Sequence, residues 1–476
     1  VLADVQTGNV LAYVGNATPL AREHGGEVDV ITSPRSSGSI LKPFLFAAML
    51  EEGRIMPTTL LPDVPTLIQG FAPQNFSKTY EGAVPANEAL VRSLNVPAVH
   101  LLKEYRYEKF HRLLQQVGVT TLHYPADHYG LALILGGAET TLWDITGSYA
   151  SMARQVQSRS SESYFFSLSY VSGNSQPVAG TDPQLSNAVL YQTLDALTEV
   201  NRPGEEVSWK KFANPRKVAW KTGTSFGHRD GWAVGVTPQF VVGVWVGNAD
   251  GEGRPGLTGA DAAAPLMFDI FSALPVTGWF EPPLQEMKQV KRCMASGMRF
   301  SDHCSMADTA WVATAALESP ACTYHKVVHL SRSKQYRVNQ DCYPGMAIQT
   351  QPWFVLPAIQ EYYYRKAHPA FKALPPMLPG CGTATNLVHM DFVYPKPNAR
   401  IFIPSDLDGT SGKSVFEVAH RHPERKVFWH LDDQYLGLTS GNHVLALNPT
   451  RGKHTLLVVD EAGEALEAHF EVISDR

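Results

Sequence analysis

The hydrophobic period of this chain changes near residue 217. Before that point, Ile40 to Leu50, Asn87 to Tyr107, Phe110 to Val117, Thr141 to about Ala153 and Ser186 to Val200 read as helices. After it, Lys217 to Thr224, Gly231 to Val236 and Gln239 to Gly247 are strand-like runs joined by short turns, one of them Thr237-Pro238. They predict an antiparallel meander, with a last helix, Ala262 to Leu274, packed on it. Val1 to Asn16 reads as a hairpin around the turn Gln6-Thr7-Gly8-Asn9. Strands around a block of helices make an α+β domain, closing near residue 276.

Beyond it, residues 277–384 read as a linker with Pro282-Pro283 and then a stretch poor in regular pattern. Residues 385–476 show six short strand-like runs: Arg400 to Pro404, Ser414 to Ala419, Val427 to Leu431, His443 to Leu447, Thr455 to Asp460 and Ala468 to Ile473. That spacing suggests a small immunoglobulin-like β-sandwich, and its own residues suggest no chemistry.

With 476 residues, 44% of them apolar and 18% charged, the chain has material for several packed cores and is neither disordered nor fibrous. A net charge of −5 without a dense Lys/Arg block gives no sign of a nucleic-acid partner. No run of 18 uninterrupted apolar residues is present. The chain starts at Val1, inside a strand and without an initiator Met, and reads as a fragment of a longer protein. All five cysteines fall between Cys293 and Cys381. The first reading is a local disulfide framework in an oxidising compartment, with one thiol left over because five is odd. The rival reading is zinc, held by Cys293, Cys304, Cys322 and the Cys322-x-x-His325 pair.

Three short stretches carry chemistry. Ser39-Ile40-Leu41-Lys42 opens the first apolar run, and Pro43 belongs in the first turn of a helix, where no backbone N–H is needed. Ser39 then sits at or next to the N-cap, at the positive end of the helix, with an amine one turn away to take its proton. The spacing alone is weak, because Ser208 with Lys211 and Ser331 with Lys334 share it. Ser93-Leu94-Asn95 lies on a corner between two helices, near Asn95-Val96-Pro97. The same Ser-x-Asn spacing at Ser172-Gly173-Asn174 and Ser440-Gly441-Asn442 reads as plain turns. Lys221-Thr222-Gly223-Thr224 lies on the strand that opens the meander. It offers a cation and hydroxyl donors for a carboxylate, a glycine where something approaches the backbone, and an edge for an extended peptide.

In this order and local context the three stretches resemble the motif set of penicillin-binding proteins and class A serine β-lactamases. The runs Ser37-Gly38-Ser39-Ile40-Leu41-Lys42-Pro43-Phe44, Arg92 to Val99, Lys221-Thr222-Gly223-Thr224-Ser225 and Arg229-Asp230-Gly231-Trp232 are similar to the transpeptidase domain of class A penicillin-binding proteins. Within that class the chain resembles the 1C type, whose C-terminal extension matches residues 291–476 loosely. The resemblance implies a peptidoglycan D,D-transpeptidase. Ser39 would be the nucleophile, Lys42 its proton acceptor, and Ser93 a relay to the leaving amine. Asn95 would hold Lys42 and the substrate amide. Lys221, Thr222 and Thr224 would bind the terminal carboxylate, Gly223 and Ser225 would belong to the same substrate-binding stretch, and the N–H groups of Ser39 and Thr224 would form the oxyanion hole. It implies no metal and no organic cofactor, stem peptides and β-lactams as ligands, and a periplasmic location with an inner-membrane anchor outside this sequence. Full-length members also carry a glycosyltransferase domain ahead of this region.

Two rivals share these motifs. A serine β-lactamase or D,D-carboxypeptidase needs a base for hydrolysis, and Glu139 is the one obvious carboxylate, in a setting that reads as a helix start. A non-catalytic periplasmic module would use the fold as a sensor, or the C-terminal sandwich as a platform for a protein partner.

Overall fold

A computed structural model describes residues 1–16, 25–66, 68, 71–158, 165–171, 182–203, 216–340, 342–343, 345–381, 388–403, 412–432, 434–461 and 464–473. They form two compact units. The first comprises residues 1–60, 85–299 and 308–321, and the second 61–84, 300–307 and 322–476.

In the first unit, β1 (Leu2–Asp4), β2 (Val10–Ala12), β3 (Ala219–Thr224), β4 (Asp230–Val236) and β5 (Phe240–Gly247) form one antiparallel sheet in the order β2-β1-β5-β4-β3. The N-terminal hairpin thus extends the meander, with Leu2 opposite Val242. β4 is buried along its whole length. Glycine lets a helix approach each face of the sheet. A Cβ on Gly235 would strike Met267 and Phe271 of α7 (Ala264–Ala273). A Cβ on Gly243, which points the other way, would strike Thr146 of α5 (Leu142–Gln157).

The remaining labelled helices are α1 (Lys42–Glu51), α2 (Ala86–Val91), α3 (Asn95–Tyr105), α4 (Tyr107–Gln116) and α6 (Asn187–Leu197). α1 is apolar on all sides apart from its ends, and every residue from Lys42 to Leu50 is buried, as an all-round apolar helix requires. α5 starts as expected, with the Thr141 hydroxyl accepting from the N–H of Asp144 at 2.9 Å. Glu139 does not open that helix. It lies in a two-residue strand, Glu139–Thr140, paired with Arg35–Ser36.

The second unit holds the sandwich, with eight strands among the described residues where the sequence suggested six. Met390–Tyr394, Ser414–His420 and Val444–Leu447 make a three-stranded sheet. Ala399–Phe402, Ala465–Ile473, Gly452–Asp460, Val427–Leu431 and Gln434–Thr439 make a five-stranded one, in that order. Phe392, Phe416, Trp429, Leu456 and Phe470 fill the core between them. The stretch expected to be irregular is more ordered than its pattern suggests. In the second unit His325–Leu330 pairs with Gln349–Phe354, and Ala358–Ala367 is a helix. The strands are missed because their partners are joined by a long connection, so no compact hairpin signal exists.

The cysteine expectation needs correction. Among the described residues there is one disulfide, Cys342–Cys381, while Cys293, Cys304 and Cys322 are buried outside it.

Candidate active site

All nine residues expected at the site lie in the first unit. The segment Ser36–Ile40 enters α1 through a tight turn, with Ile40 N–H donating to Ser37 O and Lys42 N–H to Ser39 O. The helix cap is Leu41, so Ser39 stands two residues outside it, and Pro43 is in the first turn. The turn is clamped from several sides. Ser37 donates from both its N–H and its hydroxyl to Ala138 O, at 3.0 and 2.9 Å. The indole of buried Trp232 donates to Ser36 O at 2.9 Å, and the buried Tyr149 hydroxyl donates to Ile40 O at 2.8 Å. Gly38 has φ +52°, and a Cβ there would lie 2.7 Å from the backbone N and O of Thr224. The absence of a side chain at Gly38 therefore lets the Ser39 turn press onto the end of β3. Gly223 repeats the logic from the other side, where a Cβ would meet Ser37 O at 2.8 Å. Ser39 itself is half-buried and reachable.

Ser93 sits between α2 and α3, with φ +58°. Its N–H donates to Leu90 O and that of Leu94 to Ala89 O, the paired bonds of a Schellman helix end. A glycine normally takes that left-handed position, and here a serine does. Asn95 is the first residue of α3, and Pro97 lies in its first turn. The break therefore falls at 92–94, slightly before the place the sequence suggested.

Lys42 and Lys221 meet at this corner. The Lys42 amine donates to Ser93 O at 2.8 Å, Leu94 O at 3.1 Å and Asn95 Oδ1 at 2.8 Å. None of these bonds goes to Ser39, although the two residues are one turn apart. The Lys221 amine donates to Ser93 Oγ at 2.8 Å and to Thr222 O at 2.9 Å. Ser93 thus joins the two amines, by its carbonyl to one and its hydroxyl to the other. Both lysines are almost fully buried. Burial first, then the charge of Lys221, holds the Lys42 amine well below the usual lysine range. Burial pushes Lys221 down to about 7.

β3 is the sheet edge, as a peptide-binding strand requires. Thr222 and Thr224 are half-buried, and Thr224 Oγ1 accepts from Gly259 N–H at 3.0 Å, leaving its own proton to donate. Ser225 differs from the expectation. It is buried, and its hydroxyl accepts from Asp230 N–H at 2.9 Å inside the β3–β4 turn, so it closes the turn. Of the look-alike motifs, Ser331 and Lys334 are joined by a backbone turn and Ser440 to Asn442 form a bend, whereas 172–174 and 208–211 lie outside the described residues.

The sequence reading did not single out Gly38, Gly136, Tyr149 or Trp232 as positioning residues. A Cβ on Gly136 (φ +97°) would meet Ser36 Oγ at 2.8 Å and Gly38 Cα at 2.9 Å. No local signal marks Tyr149, an aromatic residue on an apolar helix.

A serine at a helix start, two buried amines sharing a second serine, and a threonine-lined edge strand can perform acyl transfer through a serine ester. The family profile described as "Penicillin binding protein transpeptidase domain" matches residues 1–272. This chain belongs to that family. A second profile, the "Penicillin-Binding Protein C-terminus Family", matches residues 381–470, which gives the class A arrangement of the 1C type. Penicillin-binding protein 1C of Escherichia coli strain K12 is 34% identical over 276 residues, 58% of this chain and 34% of that protein. Penicillin-binding protein 1B of Haemophilus influenzae is 27% identical over 280 residues, 57% of this chain and 35% of that protein. The chain thus spans about a third of the length of these curated relatives. The crystal structure of penicillin-binding protein 1A from Haemophilus influenzae superposes with a TM-score of 0.53 at 19% identity, covering 68% of this chain and 53% of that one, a likeness of fold. Among the described residues no helix is long and apolar enough to cross a membrane.

Proposed function

We propose that this penicillin-binding transpeptidase domain cross-links peptidoglycan stem peptides through an ester on Ser39. The observation that carries the proposal is the pair of buried amines joined at Ser93, with Lys42 held below the ordinary lysine range. Lys42 in its neutral form, which burial favours, turns from the 93–95 corner and takes the Ser39 proton as Oγ attacks the carbonyl between the two terminal D-alanines. The N–H groups of Ser39 and Thr224 stabilise the oxyanion. The C–N bond breaks, and the leaving D-Ala amine receives its proton through Ser93 while Asn95 keeps Lys42 in place. The amine of a second stem then attacks the ester, forms the new amide and releases Ser39. Lys221, Thr222 and Thr224 bind the terminal carboxylate, and Gly223 leaves the strand open to the peptide. β-Lactams acylate the same serine.

The same reading places the domain in the periplasm and assigns a protein-docking role to the C-terminal domain, with functional limits at 1–276, 277–384 and 385–476. A pull-down in which removal of 385–476 changes no interaction would count against docking. The test of the chemistry is intact-protein mass spectrometry after exposure to a penicillin. A stable adduct of drug mass is expected on the native chain and none on Ser39→Ala. Destruction of the drug without a lasting adduct would instead identify a hydrolase. An intact drug with no adduct would overturn the acyl-enzyme proposal.

A further inference from the structure

The second unit contains a cluster that acyl transfer does not use. The Sγ atoms of Cys304 and Cys322 and a ring nitrogen of His325 lie within 4.8 Å of one another, and all three residues are buried. Cys322 Sγ is 3.4 Å from His325 Nδ1. Corners of a tetrahedral zinc site with ordinary Zn–S and Zn–N bonds are about 3.5–3.8 Å apart.

The surroundings are those of a metal site. The other ring nitrogen, Nε2, is 3.4 Å from Ser305 Oγ. An N–H at Nε2 donating to that hydroxyl leaves the Nδ1 lone pair facing the two sulfurs, the outer contact that orients a ligating histidine. Cys304 Sγ accepts from Ser301 N–H at 3.4 Å and lies 3.3 Å from Ser301 Oγ. The ring of His325 also leans on Phe354, 5.4 Å away, which limits its rotation.

We propose that Cys304, Cys322 and His325 bind one zinc ion, which ties the 300–307 segment to the hairpin beginning at His325. Soft sulfur with imidazole selects zinc over magnesium or calcium. A tetrahedral site takes a fourth donor, and in the sequence the nearest further thiol is Cys293. The proposal stands on the three ligands of the second unit.

The test uses the whole purified chain. Metal analysis by mass spectrometry is expected to find about one zinc per chain. Cys322→Ser and His325→Ala should each lose it, while Cys342→Ser keeps it. Cobalt added to the chelated wild type should give tetrahedral d–d bands and a sulfur-to-metal charge-transfer band, both absent in Cys322→Ser. Thiols are also counted on the wild type, a readout that does not depend on a ligand variant folding. Cys304 and Cys322 should react slowly with a thiol reagent until a chelator is added, and become protected again with zinc. Metal-free protein with no cobalt spectrum, zinc retained by Cys322→Ser, or a Cys304–Cys322 disulfide in non-reducing peptide maps would each overturn the proposal.

Discussion

Ser93 occupies a backbone position that favours glycine, at φ +58°. A non-glycine residue there is strained, and strain of this kind persists where surrounding structure over-determines it. In return, the position delivers a carbonyl to Lys42 and a hydroxyl to Lys221. Ser93→Gly should therefore leave the domain as stable as before, or more stable by about 0.5–1 kcal/mol. It should also slow acylation by a penicillin by about 10²–10⁴-fold, the usual range for a lost proton-transfer group. Denaturant melts and stopped-flow acylation measure the two effects separately. The lysines predict the pH profile. Lys42 accepts a proton only when neutral, so acylation falls as pH drops through its lowered pKa. Lys221 binds a carboxylate best as a cation, so the second-order rate also falls as pH rises through about 7. The linkage to stability has one sign. A lysine whose folded pKa is depressed binds fewer protons folded than unfolded, so below the unfolded value its burial costs stability. Lys221→Met should raise unfolding free energy at pH 7 by about 2 kcal/mol, after loss of its hydrogen bonds, while acylation is lost.

At the scale of elements, the site depends on two backbones in contact, the turn before α1 and the end of β3. Gly38→Ala places a methyl where the Thr224 backbone stands and sets an alanine at φ +52°. The expected outcome is a folded domain destabilised by about 1–3 kcal/mol. Its acylation should slow by at least about 100-fold, because Ser39 and Thr224 no longer hold their spacing. Ser225→Ala, in the turn just beyond β3, should change acylation little, since its hydroxyl is engaged with Asp230. The labelled helices and meander strands of the first unit were legible because each carries its own period, whereas the strand Met287–Cys293 was not. Pro43 and Pro97 were read correctly in first turns, as backbone chemistry leaves proline few other places. Met390–Tyr394 and Gln434–Thr439 were not legible, since short strands with mixed faces differ little from loops.

At the scale of the whole chain, acid should act mainly on the second unit. Burial lowers His389 to about 3 and His422 and His443 to about 4, with nearby Arg337, Arg425 and His420 adding to it. A histidine with a depressed folded pKa contributes no penalty above about 6.5, and its cost grows as pH falls from there toward the folded value. Asp460 is lowered to about 2, so its pairing with His420 and Arg425 holds through that window. The melting midpoint followed by fluorescence of the buried Trp429 should fall between pH 6.5 and 4. A flat midpoint there would show that these histidines are not buried neutral. The sequence by itself determined the order and local setting of the Ser39, Ser93 and Lys221 motifs, together with the α+β and sandwich classes. Those properties rest on residue identity and on local period. Only the tertiary structure decided that Leu2–Asp4 completes the sheet beside Phe240–Gly247. It alone turned Lys42 toward Ser93, withdrew Ser225 into a turn, and joined Cys342 to Cys381. Each of those outcomes is set by burial and by contacts between residues far apart in the chain, and no local window of sequence contains that free energy.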